Sequence, residues 1–283
     1  MNLKGNIFNQ GCLSQKERFD PFIYTDLLTA FAGRTKQIIF HFWQMSDCLI
    51  LGMKDTRLPH LQAGLATVYN ANYYPVVRNS GGLAVVADDG VLNFSLIIPE
   101  YFEQQEQSID DGYTLMKKII DTAFADFNHQ IDAHEVSDSY CPGDFDLSIE
   151  GQKFAGIAQR RVKQGISVMI YLSVTGNQQY RGELVRQLYL NGLTEKFGTD
   201  GYPPVRPESM ANLEDLLQTN LTISDVIYRL EKAISTIFPK IILDSPELFT
   251  FLKSQDWQEQ YTKQQQRMTQ RNSILTAGQE EES

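Results

Sequence analysis

Residues 139–161 read Ser139-Tyr140-Cys141-Pro142-Gly143-Asp144-Phe145-Asp146-Leu147-Ser148-Ile149-Glu150-Gly151-Gln152-Lys153-Phe154-Ala155-Gly156-Ile157-Ala158-Gln159-Arg160-Arg161. A cysteine lies in a Pro/Gly loop, and two short apolar alternations follow, separated by Glu150-Gly151, a pair suited to a two-residue hairpin connection. With that turn, Ile149 faces Gln152, Ser148 faces Lys153 and Leu147 faces Phe154. Lys153 then shares a sheet face with Ser148, while Phe154 and Leu147 point the other way. The expected outcome is a thiol and a lysine in one neighbourhood, with Lys153 off the core side of its strand. Cysteine is ordinarily a small buried hydrophobe, yet no apolar alternation frames Cys141 and Pro142 limits where its loop can point. Structural and functional readings both fit it. Lys153 alone reads as a solvated strand lysine, although Ala155 and Gly156 leave room for a ligand or another backbone to approach. Arg160 and Arg161 read as surface or carboxylate-pairing arginines.

Working outward, the second informative stretch runs from Val77-Arg78-Asn79-Ser80-Gly81-Gly82-Leu83 through Asp88-Asp89-Gly90 to Leu96. The Gly-Gly pair separates two strand-like runs, and the Asp-Asp-Gly turn leads into a third. Glycines there can bring backbone N–H groups toward a carbonyl or carboxylate, and Arg78 can complement a negative group. The stretch lacks both the Gly-Lys-Ser/Thr ending of a phosphate loop and the spacing of a dinucleotide fingerprint. Asn93 and Ser95 alternate with Leu92, Phe94 and Leu96, so one strand face is polar and can line a site.

The remaining chain predicts an α+β order. Helical spacing appears over residues 20–33, 58–68 and 111–127, the last capped by Asp111 or its neighbour, and strands are expected at 38–43, 49–51, 73–77 and 166–174. The first twenty residues are expected to cover an edge of the core. A helix begins near Glu183, and the Pro/Gly-rich interval 198–207 reads as a lobe boundary. That divides the chain into a core over residues 1–200 and a helical extension over 201–283 packed on it. Thr222 with Asp225 opens one helix, Ser245-Pro246-Glu247 a last one, and the Gln-rich end closes in a frayed tail at 280–283.

Composition narrows the function. The chain has 283 residues, 42% of them hydrophobic, enough for a large folded core. A net charge of −10 with no concentrated basic patch argues against nucleic acid as a partner. Cysteines at 12, 48 and 141 and histidines at 41, 60, 129 and 134 match no metal or disulfide pattern. Without a signal-like start or an 18-residue apolar run, the expected location is the cytoplasm, with no membrane partner.

The two quoted stretches resemble those of the lipoate/octanoate protein transferase and ligase family, as does Arg206-Pro207-Glu208-Ser209-Met210-Ala211-Asn212-Leu213, with a likeness running over roughly residues 35–240. The resemblance implies an α+β catalytic core with a mixed, mostly antiparallel sheet and flanking helices, as in biotin/lipoate–protein ligases and class II synthetases. It implies that Cys141 takes the acyl group as a thioester and that Lys153 positions the attacking amine and polarises the carbonyl. Arg78, Asn79, Ser80, Gly81 and Gly82 would wall the acyl channel, with Asn93, Ser95 and Gly156 as further substrate-binding candidates. Relatives that use an acyl carrier protein or ATP usually follow the Gly-Gly pair with a polar residue or a third glycine, and Leu83 departs from that. The departure favours the amidotransferase branch, an octanoyltransferase chemistry without metal, nucleotide or other cofactor. The expected partners are octanoylated glycine cleavage H protein as donor and lipoyl domains of 2-oxoacid dehydrogenase E2 subunits as acceptors, with octanoyl or lipoyl as cargo. An ATP-dependent lipoate–protein ligase, a transferase using an octanoyl carrier protein, and a non-catalytic carrier-binding protein are the alternatives. Lipoyl domains are acidic, so Arg160, Arg161 and Lys163 are the candidates for a basic docking face.

Overall fold

A computed structural model describes residues 4–103, 105–243 and 245–276. In chain order its strands are β1 (Gly5–Leu13), β2 (Ile38–Met45), β3 (Cys48–Leu51), β4 (Tyr74–Val77), β5 (Val85–Ala87), β6 (Val91–Pro99), β7 (Tyr101–Phe102), β8 (Gln105–Glu106), β9 (Asp132–Ala133), β10 (Asp146–Ile149), β11 (Gln152–Val162) and β12 (Gly165–Ser173). The helices are α1 (Asp20–Thr35), α2 (Leu61–Asn70), α3 (Ile109–Ala123), α4 (Gln178–Leu193), α5 (Leu213–Leu216), α6 (Ile223–Ile237), α7 (Pro246–Leu252) and α8 (Gln255–Asn272).

The organising layer is a seven-stranded sheet in the order β1-β2-β6-β12-β11-β10-β9. Only β1 and β2 run parallel; the other neighbours are antiparallel, so the expected mixed, mostly antiparallel α+β architecture is what the chain adopts. Alternation assigns the two faces of its central strands. Phe40, Phe42, Phe94 and Leu96 pack with the stripes of α3 and α6, where Met116, Ile119, Val226 and Leu230 are buried. The opposite face carries Ile39, Trp43, Ile97 and Tyr171 and packs with α1 and with a small sheet of order β4-β3-β5. Thr222 and Asp225 form the expected capping box of α6. In α3 the cap is Ser108, three residues before Asp111, which serves as the acidic arm of the box.

Two expectations change. Ser245-Pro246 does open a helix, but α8 follows it over 18 residues inside the Gln-rich stretch. The tail at 280–283 lies outside the described residues. The hairpin of the opening stretch pairs Ile149 with Gln152 and Ser148 with Lys153 as expected, but Leu147 meets Ala155 rather than Phe154, and Asp146 meets Gly156. A β-bulge has slipped one residue into β11. Phe154 and Ala155 therefore both join the core side, and Lys153 and Gly156, which a regular strand would put on opposite faces, come to the same side. A Cβ built on Gly156 would sit 3.5 Å from Cε of Lys153.

Segment 206–212 closes over this edge. Arg206 N–H donates to Asp138 O (2.7 Å), Ala211 N–H donates to Lys153 O (3.0 Å), and Met210 bridges Lys153. Together with the cysteine loop it covers the face on which a solvated Lys153 was expected. Lys153 is buried, with 1% of its surface exposed.

Candidate active site

Between the large sheet, α1 and the loop 78–83 lies a cavity of about 330 Å³, within the size range of small-ligand pockets. One row of residues, one from each of five neighbouring strands, crosses it: Trp43, Asn93, Tyr171, Gly156 and Asp146. With strands about 4.8 Å apart, the row extends roughly 19 Å. Phe22, Ile50, Val85 and Met169 add apolar lining, and Ser95 lines it beside Asn93. Two buried donors in the row, Trp43 Nε1 and Asn93 Nδ2, have no hydrogen-bond partner among the described residues. Orphaned buried donors cost about 1–3 kcal/mol each and call for an acceptor from water or a ligand.

At the Asp146 end sits the loop Ser139-Tyr140-Cys141-Pro142-Gly143. The Asp146 carboxylate accepts the N–H groups of Val136 and Gly143, both at 3.2 Å, and the ammonium of Lys153 at 2.9 Å. Burial raises the Asp146 carboxyl above its ordinary range; the Lys153 charge and the two N–H donors work against that rise. Lys153 Nζ also donates to Ser139 Oγ (3.0 Å), Tyr140 O (3.0 Å) and Cys141 O (2.9 Å). Three ammonium hydrogens are shared among these four acceptors. The lysine thus meets the cysteine loop through backbone carbonyls, and it lies behind the cavity wall rather than among the lining residues. Tyr140 is fixed separately: its hydroxyl accepts from Gln178 Nε2 (3.2 Å) and its ring packs on Tyr171.

Cys141 is half-buried and sits at φ +47°, in the left-handed region that β-carbon-bearing residues adopt at a cost. That turn puts its sulfur at the cavity, where Sγ accepts from the Leu83 N–H (3.3 Å) and from Arg78 Nη2 (3.8 Å). Arg78 also binds the loop it belongs to, donating to Gly81 O (2.9 Å) and Leu83 O (3.0 Å). Gly82, at φ +91°, has no room for a side chain: a Cβ would lie 2.3 Å from Arg78 Nη2 and 3.2 Å from the sulfur. Ser80 and Gly81 complete this wall.

Of the sequence candidates, Cys141, Arg78, Asn79, Ser80, Gly81, Gly82, Asn93, Ser95 and Gly156 all line this one cavity. Asn79 spends its amide on a mooring, donating to Asp26 Oδ2 (2.8 Å) on α1. Arg160 donates to Asp26 (2.7 Å) and Arg161 to Glu100 (3.1 Å), the carboxylate pairing the sequence also suggested for them, while Lys163 is exposed. Sequence reasoning missed Asp146, Asp26 and the buried Asp55. Nothing in the spacing of Asp146 marks it as the partner of Lys153; the bulge and the folded-back loop bring the pair together. Asp55 accepts the N–H of Gly52 (2.8 Å) and the hydroxyl of Tyr189 (2.9 Å), and burial pushes its carboxyl up to about 6.

Residues 21–235 match a family model described as the lipoyl protein ligase A/B catalytic domain. An Octanoyl-[GcvH]:protein N-octanoyltransferase of an Exiguobacterium species is 41% identical over 272 residues, covering 95% of this chain and 92% of its own. A protein of the same name from Macrococcus caseolyticus is 40% identical over 92% of this chain and 91% of its own. A Lipoyl-[GcvH]:protein N-lipoyltransferase of Listeria monocytogenes is 42% identical over 66% of this chain and 67% of its own. Among solved structures, a lipoate–protein ligase A bound with ATP has a TM-score of 0.67 over 86% of this chain and 88% of that one, at 16% identity, a likeness of fold. Among the described residues no helix is long and apolar enough to cross a membrane.

Proposed function

The chain belongs to the lipoyl protein ligase A/B catalytic-domain family and is an acyltransferase, and from that premise we propose that it moves an octanoyl or lipoyl group between protein lysines through a thioester on Cys141. The donor is the acylated glycine cleavage H protein, as the names of the relatives suggest. The acceptor is the target lysine of lipoyl domains in 2-oxoacid dehydrogenase E2 subunits. The observation that carries this reading is the sulfur of Cys141, set at an apolar-lined cavity with an N–H and a guanidinium directed at it.

The sulfur attacks the carbonyl carbon of the donor's acyl-lysine amide, and a C–S bond forms as the carbonyl oxygen takes up negative charge. Arg78 and the Leu83 N–H, the two donors at the sulfur, are the groups assigned to receive that charge. When the C–N bond breaks, the proton that began on the thiol ends on the departing lysine amine. The acceptor's neutral lysine amine then attacks the thioester, loses a proton and leaves the thiol restored. Lys153 holds the Tyr140 and Cys141 carbonyls, and so fixes the direction of the sulfur, with Asp146 neutralising its buried charge. The acyl tail lies in the cavity against Phe22, Ile50, Val85 and Met169, each buried methylene contributing about 0.8 kcal/mol. The cycle consumes no nucleotide, and the reducing cytoplasm keeps the thiol available.

Incubation with octanoylated H protein, without ATP or magnesium, should add one octanoyl mass to the peptide containing Cys141, labile to neutral hydroxylamine. Added lipoyl domain should discharge it. Cys141→Ser should abolish turnover while Cys12→Ser and Cys48→Ser leave it intact. Transfer that depends strictly on ATP with no such adduct would replace this reading with a ligase.

A further inference from the structure

The transfer steps give the buried Asp55 no part. Asp55 follows β3 in a short helical turn, with none of its surface exposed. Its two oxygens face different elements: Oδ2 accepts from Gly52 N–H at the end of β3, and Oδ1 accepts from the Tyr189 hydroxyl of α4. The Tyr189 oxygen in turn accepts the backbone N–H of Ala84 at 3.1 Å. Ala84 is the residue after Leu83, whose own N–H meets the Cys141 sulfur at 3.3 Å. A second contact joins the same parts, since a Cβ on Gly52 would fall 1.8 Å from the carbonyl oxygen of Gly82. Gly52 therefore packs its Cα against the glycine loop, and Asp55 holds Gly52 in place.

The hydrogen bonds have a fixed sense. Ala84 N–H can only donate, so the Tyr189 oxygen accepts there and its single hydrogen must go to Asp55. Gly52 N–H can only donate to the other carboxylate oxygen. A carboxylate is the one group of this shape that accepts from both sides at once; an amide or a protonated acid leaves one of the two partners facing a hydrogen. Burial and the neighbouring Asp55 charge raise Tyr189 well above its ordinary value, which keeps the hydroxyl in its donating form. The charged groups whose field reaches Asp55 are the cations Arg78 and Lys54.

We infer that Asp55 and Tyr189 are positioning residues, which lock the Leu83–Ala84 backbone so that the Leu83 N–H is held against the Cys141 sulfur. The inference rests on the reading of Cys141 as the nucleophile. Asp55 touches no substrate and acts through Tyr189 and Ala84; it sets where a backbone donor sits, and with it how readily the thiol reacts. The small sheet and α4, which lie behind the glycine loop, thereby become part of the catalytic framework.

The test uses the full chain carrying Tyr189→Phe or Asp55→Asn. For each, the melting temperature, the rate at which iodoacetamide alkylates Cys141 (followed on its peptide), and kcat and KM for octanoylated H protein are measured. Tyr189→Phe should slow alkylation of Cys141 and lower kcat, each by about tenfold, a fraction of the loss seen when an oxyanion donor is removed outright. KM for the donor should stay within about twofold, because the lesion lies behind the site. Asp55→Asn should show the same pattern. Wild-type alkylation and kcat per folded molecule, with only the melting temperature lowered, would overturn the inference, since a merely structural pair moves stability alone. If neither variant folds, hydrogen exchange of the Ala84 amide in the wild-type protein decides: exchange as fast as in an exposed loop overturns the mooring, and strong protection supports it. The nucleophile is judged separately by whether wild-type protein takes an acyl adduct on Cys141. Without one, the thioester reading falls while the alkylation rates still report on the mooring.

Discussion

One extra residue in β11 decides what Lys153 is. The bulge brings Lys153 to the same side as Gly156, and the cysteine loop with segment 206–212 buries it, so a lysine that reads as solvated in the sequence becomes half of a buried ion pair. Removing it leaves Asp146 buried with its main partner gone, a lesion of about 3–5 kcal/mol. Lys153→Ala should therefore lower both stability and transfer, and because the sulfur loses its fixed direction the transfer loss should reach about a hundredfold or more. The double variant Lys153→Met with Asp146→Asn separates the two effects: thermal unfolding should recover toward wild type while transfer should not. Recovery of transfer along with stability would reduce the lysine to a packing role. The glycine pair offers a paired comparison. At Gly82 a methyl group meets Arg78 and the sulfur in a left-handed backbone, whereas at Gly81 a Cβ meets nothing within 4 Å. Gly82→Ala should cut transfer per folded molecule severely and Gly81→Ala should retain most of it; equal effects would make the loop a plain turn.

At the level of elements, α8 shows both what the sequence reveals and what it hides. Its buried or half-buried apolar positions, Trp257, Tyr261, Met268 and the following Leu275, are spaced four, seven and seven apart, a single helical face set in glutamine-rich surroundings that read as loose chain. The face packs Trp257 on Tyr24 of α1. Asn272 acts as a substitute strand, accepting the Val77 N–H (2.7 Å) and donating to the Val77 carbonyl (3.0 Å), at the point where β4 runs into the glycine loop. Asn272→Leu should cost about 1–3 kcal/mol through those unpaired groups and should reduce transfer beyond what the folded fraction explains. An unchanged rate per folded molecule would confine α8 to scaffolding. The long periodic elements were legible: strands β2, β3, β4, β6 and β12, the stripe of α3 and the capping box of α6 follow from spacing and end signals. The contacts that make the site were not. The bulge, the Asp146–Lys153 pair and the Asp26 clamp on Asn79 and Arg160 join positions whose neighbourhood exists only after the layers have packed.

For the molecule as a whole, two buried groups pull its stability in opposite directions with pH. His41, held between Gln10 and Thr25, is driven by burial down to about 3 from 6.5, so the unfolded chain takes up a proton that the folded chain refuses. Its contribution is complete above pH 6.5 and is lost as the pH falls, by about 2 kcal/mol at pH 5. Asp55, raised to about 6 from 3.8, has the reverse sign. The folded chain holds its proton more tightly, which favours folding below pH 3.8, and that increment disappears as the pH rises through about 6. Between pH 7 and 5 the two partly cancel. Denaturant unfolding across that range should show a flatter acid loss in His41→Asn and a steeper one in Asp55→Asn; parallel slopes in all three proteins would contradict the assignment. The cross-sheet row from Trp43 to Asp146 has one more consequence, in the time order of biosynthesis. Its members come from residues 43 to 171, Lys153 is covered by residue 211, and the glycine loop is moored by residue 272. Pairings this distant in sequence close late. On the thioester reading, a chain emerging from the ribosome thus carries its Cys141 thiol before it carries a place for an acyl tail, and charging waits until the last turn of α8 has been made.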